Sequence, residues 1–203
     1  AHALTKYPSG GGDVLMGSVI TRDEALHLKI KLCHMRLGRG VGANDAEAVL
    51  RALPSIGLRY AAQDRTARAL ADWWQRQAQC VQLLHPAFDG APGHTHWQSV
   101  CAGQGRSGLA AGLFSVLLDA RYSQAQVDAF CDDLQLFRIG YSWGGPVSLA
   151  VPYDARSLRS RPVPYRGTLI RFSLGLEDVA DLEADLAQAL DAALHAPDAL
   201  TAP

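Results

Sequence analysis

From residue 81 onward, short apolar runs alternate with stretches of helical periodicity, and this alternation constrains the fold more than any other feature. The runs are bounded by turn residues and are rich in residue types that favour strands. They are VQLLH (81–85), LFSVLLD (113–119), FRIGY (137–141) and TLIRFSL (168–174). The pattern predicts an α+β domain of about four mainly antiparallel strands with helices on one face of the sheet.

Two helices are predicted in this region. The clearer one spans 177–194, where apolar residues recur at steps of three and four and acidic residues near the start favour the positive end of the helix dipole. The other spans 123–134. The apolar positions are Val179, Leu182, Leu186 and Leu190 in the first helix, and Val127, Phe130 and Leu134 in the second.

The chain before residue 81 follows a different pattern. The run VLMGSVI (14–20) predicts a short buried strand, and 22–37 predicts a helix that ends at nearby glycines. Asn44 followed by Glu47 resembles a capping box, which would open a mostly helical run to about residue 79 that is interrupted at Pro54 and Gly57. Because the pattern changes along the chain, we place a domain boundary near residue 50.

Composition excludes several function classes. The chain has 203 residues, 48% of them hydrophobic, and its 19 basic and 20 acidic side chains leave a formal net charge of -1. It therefore has enough apolar residues for a core, and its charge gives no reason to expect nucleic acid or a membrane as a partner. Four cysteines without CxxC spacing favour a reduced, cytoplasmic protein. The start of the sequence has neither an initiator methionine nor a signal-peptide pattern, so we expect it to be part of a longer chain.

The segment GYSWG (140–144) matches the GxSxG elbow of serine hydrolases. Asp181 or Asp191 and then His195 follow in the order of a catalytic triad. The elbow requires a helix directly after its serine. Here Gly145, Pro146 and a strand-like run follow instead, so the sequence disfavours a hydrolase.

Two further patterns also lack the context that their chemistry needs. Residues 103–108 match GxGxxG, but no strand precedes them as a dinucleotide site requires. His94, His96 and Cys101 have loose spacing and no evident fourth ligand for a metal. Loops are predicted at both places.

Residues 3–20, ALTKYPSGGGDVLMGSVI, resemble the lysine segment of the Cys/Met-metabolism family of pyridoxal-phosphate enzymes. The shared pattern is a small residue, any residue, Thr, Lys, Tyr, a Gly-rich turn, an Asp and an apolar strand ending in Gly. Residues 136–149 resemble the family's loop that faces the cofactor, and 167–186 resemble its carboxylate-binding strand and following helix. Trp143 and the absence of a HPAxMTH segment resemble the bacterial cystathionine β-lyase subgroup.

The resemblance implies a fold and an activity. The chain would be the carboxyl-terminal part of a fold-type I pyridoxal-phosphate transferase-like α/β fold, with 1–50 as the end of the large cofactor-binding domain and 51–203 as the small domain. The parent would be a homotetramer that cleaves cystathionine, a small thioether amino acid, to homocysteine, pyruvate and ammonia. The acid that pairs with the pyridine nitrogen and most of the phosphate-binding groups would lie upstream of residue 1. Two alternatives stay open: a non-catalytic carboxyl-terminal packing domain, and a γ-lyase or γ-synthase of the same family.

The resemblance also implies roles for six residues. The lysine would link the cofactor and move a proton, a threonine would donate to the cofactor phosphate, and four residues would bind or surround the substrate. The lysine is Lys6 and the threonine is Thr5. Ser142 would steer the lysine amine, and Tyr141 would shape the pocket. The backbone NH of Trp143 would support the substrate carboxylate, and Arg171 would bind that carboxylate.

Some positions depart from the family pattern. Ala3 stands where a phosphate-binding Ser is common, and Gly11-Gly12 replaces a common His-Ser before the Asp. Pro146-Val147 replaces an aromatic-Glu pair. These departures bear on phosphate binding and on substrate preference.

Strand periodicity supports Arg171 independently of the resemblance. In 168–174, the large apolar residues Ile170 and Phe172 share one face, because side chains alternate along a strand. Arg171 then points to the opposite face, away from the predicted helices. A guanidinium there is suited to a two-pronged bond with a carboxylate.

Overall fold

The computed structural model describes residues 1–103, 108–154, 160 and 165–194. The middle of the GxGxxG match and His195 lie outside the described residues. The strands are β1 (His2–Ala3), β2 (Gly17–Ser18), β3 (Cys80–Leu84), β4 (Leu113–Leu118), β5 (Arg138–Ile139), β6 (Leu149–Tyr153) and β7 (Leu169–Ser173). The helices are α1 (Glu24–Arg36), α2 (Ala43–Ala52), α3 (Ile56–Gln75), α4 (His94–Cys101), α5 (Gln124–Asp133) and α6 (Val179–Ala193), with a 3-10 turn at Leu53–Ser55.

Within the described residues, five strands form the main sheet in the order β3-β4-β7-β6-β5. The prediction of about four strands is therefore corrected to five, because β6 joins the sheet between β7 and β5. All neighbours are antiparallel except β5 and β6, which pair in parallel. The predicted strand 137–141 is shorter than expected, since the chain leaves the sheet at Gly140 and returns as β6.

Helices α3, α5 and α6 cover one face of this sheet, as the periodicity predicts. Side chains at alternate positions of β4 and β7 point into the core, and Ile170 and Phe172 are completely buried. Trp74 of α3 lies 5.6 Å from the ring of Phe172 and 5.9 Å from that of Phe130 in α5, measured between centroids. These contacts hold α3 and α5 against the sheet.

The two helices predicted at 123–134 and 177–194 are confirmed within two residues at each end. Helix α5 begins with a capping box between Ser123 and Gln126, and Asp178 caps α6. The buried carboxylate of Asp185 in α6 accepts hydrogen bonds from the backbone NH groups of 135, 136 and 137. It thereby fixes the chain between α5 and β5.

The first 50 residues correct two predictions. In 14–20, Val14 is buried, but Leu15 and Ile20 are 90% and 86% exposed, because no described element packs on them. The pairing there is limited to the short β1-β2 hairpin. Helix α2 begins at Ala43 with Gly42 as its N-cap and without a side-chain cap, so the predicted capping box at Asn44 is wrong.

Several observations complete the fold. The predicted helix 22–37 is confirmed as α1, none of whose residues is buried. The helical run after it is interrupted at Pro54, but the interruption predicted at Gly57 is wrong, because Gly57 lies inside α3. The loop predicted around His94 is also wrong, because 94–101 form helix α4. The boundary proposed near residue 50 falls inside α2 and stays a prediction. Among the described helices, none has both the length and the apolar character that a membrane crossing requires.

Candidate active site

The structure brings Lys6 together with two residues that are distant in sequence. The Lys6 Nζ atom donates to Ser142 Oγ at 2.9 Å. The same atom lies 4.4 Å from the centroid of the Trp143 ring, a cation–π contact. An amine held by a hydroxyl and an aromatic face has a fixed direction, which suits a group that must react at one atom.

Arg171 lies on the other side of the same cluster. Its Cζ atom is 5.7 Å from the Trp143 ring centroid, so one indole contacts both cationic side chains. Its Nη2 atom makes long hydrogen bonds to the carbonyls of Gly140 and Ser142, at 3.4 and 3.3 Å. Its Nε atom is buried and has no hydrogen-bond partner among the described residues. Arg171 therefore retains donor capacity for an anion.

Tyr141 lies at the edge of the cluster. It is 71% exposed, and its ring meets that of Tyr153 edge-on at 6.0 Å between centroids. Tyr153 in turn lies against Arg171. The sequence analysis named Tyr141 and did not name Tyr153.

Thr5 is beside Lys6 in sequence, but its hydroxyl is engaged elsewhere. Thr5 Oγ1 donates to the carbonyl of Met16 at 3.2 Å and accepts from the Met16 NH at 3.1 Å. These bonds close the hairpin that carries Lys6. The role of Thr5 as a phosphate donor, which the resemblance implies, stays a prediction.

Arg59 of α3 fastens the lysine segment to the rest of the fold. Its guanidinium donates to the carbonyls of Tyr7 at 2.8 Å and Pro8 at 3.4 Å, and also to that of Ala52 at 3.0 Å. The Tyr7 hydroxyl accepts from the NH of Gly112 at 3.0 Å, and burial raises the pKa of Tyr7 to about 12. The Tyr7 hydroxyl thereby anchors the lysine segment to the chain before β4.

The loop that follows β5 approaches the lysine segment at Gly144. This residue has φ of +76°, and a Cβ there would lie 2.7 Å from the backbone N of Tyr7. A glycine is required for both reasons. Gln63 of α3 also holds the loop, because its Nε2 donates to the Gly145 carbonyl at 2.8 Å.

The far end of this loop is held by a buried serine. Ser148 donates from both its NH and its hydroxyl to the carboxylate of Glu177, at 2.7 and 2.8 Å. The Ser148 hydroxyl also accepts from the NH of Gly175 at 2.9 Å. Since Gly175 and Glu177 follow β7 directly, these bonds tie the loop of Ser142 and Trp143 to the strand of Arg171. We call this group of three residues the loop anchor.

The competing motifs find no support in the geometry. The chain after Ser142 leads into strand β6 and not into a helix, so the strand–turn–helix elbow is missing. His94 is engaged with the Pro86 carbonyl at 2.8 Å and with Asp89 at 2.9 Å. Among the described residues, no three His, Cys, Asp or Glu side chains are grouped as a metal site requires.

Three parts of the site were missed by the sequence analysis. Arg59 and Ser148 act through contacts between distant segments, which no local pattern reveals. Tyr153 had a usable signal: it lies two residues after Val151 in an apolar run, so strand alternation gives both the same face.

Comparison with known proteins identifies a matching family and similar relatives. The chain matches the sequence profile of the family described as Cys/Met metabolism PLP-dependent enzyme over residues 1–191. It is 37% identical over 195 residues to a putative cystathionine β-lyase of Rhizobium johnstonii, covering 95% of this chain and 48% of that protein. It is 38% identical over 193 residues to a cystathionine β-lyase of Bordetella avium, covering 94% of this chain and 47% of that protein.

Solved structures give the same result. The chain is similar to the crystal structure of cystathionine γ-synthase from Xanthomonas oryzae pv. oryzae, with a TM-score of 0.79 and 29% identity. The match covers 95% of this chain and 49% of that one. The chain thus spans about half the length of the relatives that it matches.

Proposed function

Because the chain belongs to the Cys/Met-metabolism family of PLP-dependent enzymes, we propose that the whole protein is a carbon–sulfur lyase that cleaves cystathionine. The products would be homocysteine, pyruvate and ammonia. The observation that carries this proposal is the cluster in which one indole, Trp143, contacts both the amine of Lys6 and the guanidinium of Arg171.

The residues present fit pyridoxal phosphate. Lys6 offers an amine that can join the cofactor's carbonyl, and among the described residues no carboxylate forms an ion pair with it. Arg171 offers a buried Nε atom without a partner in the described part of the chain, which suits the carboxylate that every amino-acid substrate carries. When bound, the cofactor supplies an electron sink for the bond broken at the substrate Cα.

Each residue of the cluster then has a role in the reaction. Arg171 binds the substrate α-carboxylate and so orients the Cα–H bond. Lys6, once its amine is free, accepts the proton from Cα while Ser142 directs the amine through the hydrogen bond seen here. The Cβ–S bond then breaks, its electron pair leaves with sulfur, and the sulfur takes up a proton to give homocysteine. Water hydrolyses the remaining enamine to pyruvate and ammonia. Trp143 contacts both cationic groups.

Cleavage at Cβ is favoured over cleavage at Cγ by one position. The sequence carries Trp143 where γ-lyases and γ-synthases usually carry Leu, as the resemblance implies. A γ-specific enzyme is therefore the second candidate.

Product analysis separates these candidates. The full-length protein, loaded with pyridoxal phosphate, should convert L-cystathionine to equal amounts of pyruvate and homocysteine. Cysteine and 2-oxobutyrate as products would contradict the proposal and establish γ-cleavage. If neither pair forms, the packing-domain alternative is favoured. The Lys6→Ala variant is the control for uncatalysed breakdown.

We also propose that the whole protein is a cytoplasmic homotetramer, as the family resemblance implies. The mass of the native particle, measured by light scattering, tests the assembly. A particle of one or two chains would contradict it. Fractionation of the source cells tests the location, and recovery of the protein outside the cytoplasmic fraction would contradict that part.

A further inference from the structure

Tyr153 occupies a position that strand pairing fixes relative to Arg171. In the β6-β7 pair, Val151 lies opposite Arg171, and Tyr153 lies opposite Leu169. Tyr153 is therefore on the same face of the sheet as Arg171, one diagonal step away. This face is opposite to the one that α3, α5 and α6 cover.

The ring of Tyr153 contacts the guanidinium of Arg171. The Cζ atom of Arg171 lies 5.6 Å from the Tyr153 ring centroid and 5.7 Å from that of Trp143. Both distances are within the range of cation–π contacts. Tyr141 packs edge-on against Tyr153 and limits the movement of its ring.

Other contacts of Arg171 are too weak to fix its plane. Its hydrogen bonds to the Gly140 and Ser142 carbonyls are at the long limit for such bonds, and its Nε atom has no partner in the described part of the chain. No carboxylate among the described residues forms an ion pair with it. Among the described residues, the two aromatic rings are thus the main short-range constraints on the guanidinium.

We propose that Tyr153 is a positioning residue for carboxylate recognition: its ring holds the guanidinium of Arg171 in the orientation that binds the substrate α-carboxylate. The inference rests on the proposed function, in which Arg171 binds that group. A ring is needed for this role, and the phenol hydroxyl is not. Tyr153→Phe therefore keeps the effect and Tyr153→Leu removes it.

The experiment uses the full-length holoenzyme with cystathionine as substrate. Tyr153→Leu should raise KM about five- to tenfold, the value expected for one cation–π contact, with kcat changed less than about threefold. Tyr153→Phe should stay within about twofold of wild type in both parameters. A KM effect in the Phe variant as large as in the Leu variant would overturn the role of the ring.

A binding measurement separates positioning from general damage. L-alanine and L-alaninamide serve as competitive ligands, because the amide lacks the charged carboxylate. The inhibition constant of alanine should rise in Tyr153→Leu by the same factor as KM, and that of alaninamide should not change. Equal weakening of both ligands, or an unchanged KM with an active wild type, would overturn the inference. An inactive wild type would instead contradict the proposed function.

Discussion

Lys6 is the residue on which the proposed chemistry depends most. Its amine is directed by Ser142 and Trp143, and Lys29 and Lys31 lie on the exposed helix α1, away from this cluster. Reduction of the full-length holoenzyme with borohydride should therefore attach the pyridoxyl label to Lys6. Peptide mapping reads the position directly. A label on Lys29 or Lys31 would remove Lys6 from the site.

Substitution of Lys6 tests the same role through activity. Lys6→Ala should abolish turnover and leave the fold intact, since the side chain is held by one hydrogen bond and one ring contact at an exposed site. Lys6→Arg should also abolish turnover, because a guanidinium stays protonated and cannot join the cofactor carbonyl. Lys31→Ala is the matched control and should retain activity. Turnover by either Lys6 variant above a few per cent of wild type would contradict the assignment.

Arg171→Ala should lower kcat/KM by about 3 kcal/mol, or roughly a hundredfold, the scale of a lost charge-assisted bidentate contact. The melting temperature should change little, because the side chain points away from the helix-covered face. Arg171→Lys keeps the positive charge but not the two-pronged guanidinium geometry, and it should recover a small part of the lost kcat/KM. Steady-state kinetics of the full-length protein give the measurement, and near wild-type kinetics for Arg171→Ala would exclude it from substrate binding.

At the scale of elements, the loop between β5 and β6 is held at both ends by other parts of the fold. The loop anchor of Ser148, Gly175 and Glu177 joins it to the strand of Arg171. Movement of this junction would displace Ser142 and Trp143 relative to Arg171. The position of the loop is therefore a condition for the site.

Ser148→Ala tests the loop anchor. The substitution leaves the Gly175 NH and one Glu177 oxygen without their partner, so unfolding should become easier by about 1–3 kcal/mol. KM for cystathionine should rise as well, because the loop loses its attachment. Ser99→Ala, at an exposed serine of α4, is the control and should change neither quantity. Urea denaturation and steady-state kinetics give both values, and an unchanged midpoint would contradict the role.

Elements formed by local patterns could be predicted from the sequence, and elements formed by distant contacts could not. Helices α5 and α6 depend on apolar periodicity and caps, so their bounds were nearly right. The parallel pairing of β5 with β6 depends on how the intervening loop returns, which the run FRIGY does not encode. The exposure of Leu15 and Ile20 depends on which elements pack near them, and the apolar periodicity of the sequence does not indicate which elements do so.

The same distinction applies to the site. Lys6, Ser142, Trp143 and Arg171 were found through the resemblance, and strand alternation gave the face of Arg171 correctly. The contact of Tyr153 with Arg171 depends on the register of β6 against β7, which the two sequence runs do not encode. Register is set by the fold as a whole.

At the scale of the whole molecule, stability should depend on pH through a buried histidine. His85 is 1% exposed, and burial, aided by the charge of Arg68 and opposed by Asp64, lowers its pKa to about 4. Its Nδ1 accepts from the NH of Ala87 at 3.2 Å, and Nε2 has no partner among the described residues. The folded protein therefore keeps His85 neutral under conditions where the unfolded chain would be protonated.

The sign of the effect follows from this difference. Above pH 6.5 both states are neutral at His85, and between pH 6.5 and 4 the unfolded state binds an extra proton, so the free energy of unfolding falls as pH falls. The loss by pH 4 should be up to about 3 kcal/mol. His85→Leu, which cannot titrate, should have a flatter profile over this window in chemical denaturation. Parallel profiles for the two proteins would contradict the prediction.

A chain limited to these 203 residues should lack lyase activity and bind pyridoxal phosphate weakly. The Thr5 hydroxyl is engaged with Met16, and the chain spans about half the length of the relatives that it matches. Spectroscopic titration with the cofactor tests this. A saturable absorbance change that responds to cystathionine, together with turnover, would contradict the prediction.

Strand β7 has a consequence for how such a protein can evolve. Its even-numbered residues, Ile170 and Phe172, lie in the core, and its odd-numbered Arg171 faces the site. Substitutions at the two sets therefore have separate effects: a change in the first set alters core packing, and a change at 171 alters the site. Insertion or deletion of one codon would exchange the sets, placing a guanidinium beside Trp74 and an apolar side chain on the face that Arg171 occupies. A change in the length of this strand should therefore be much more damaging than a substitution at 171.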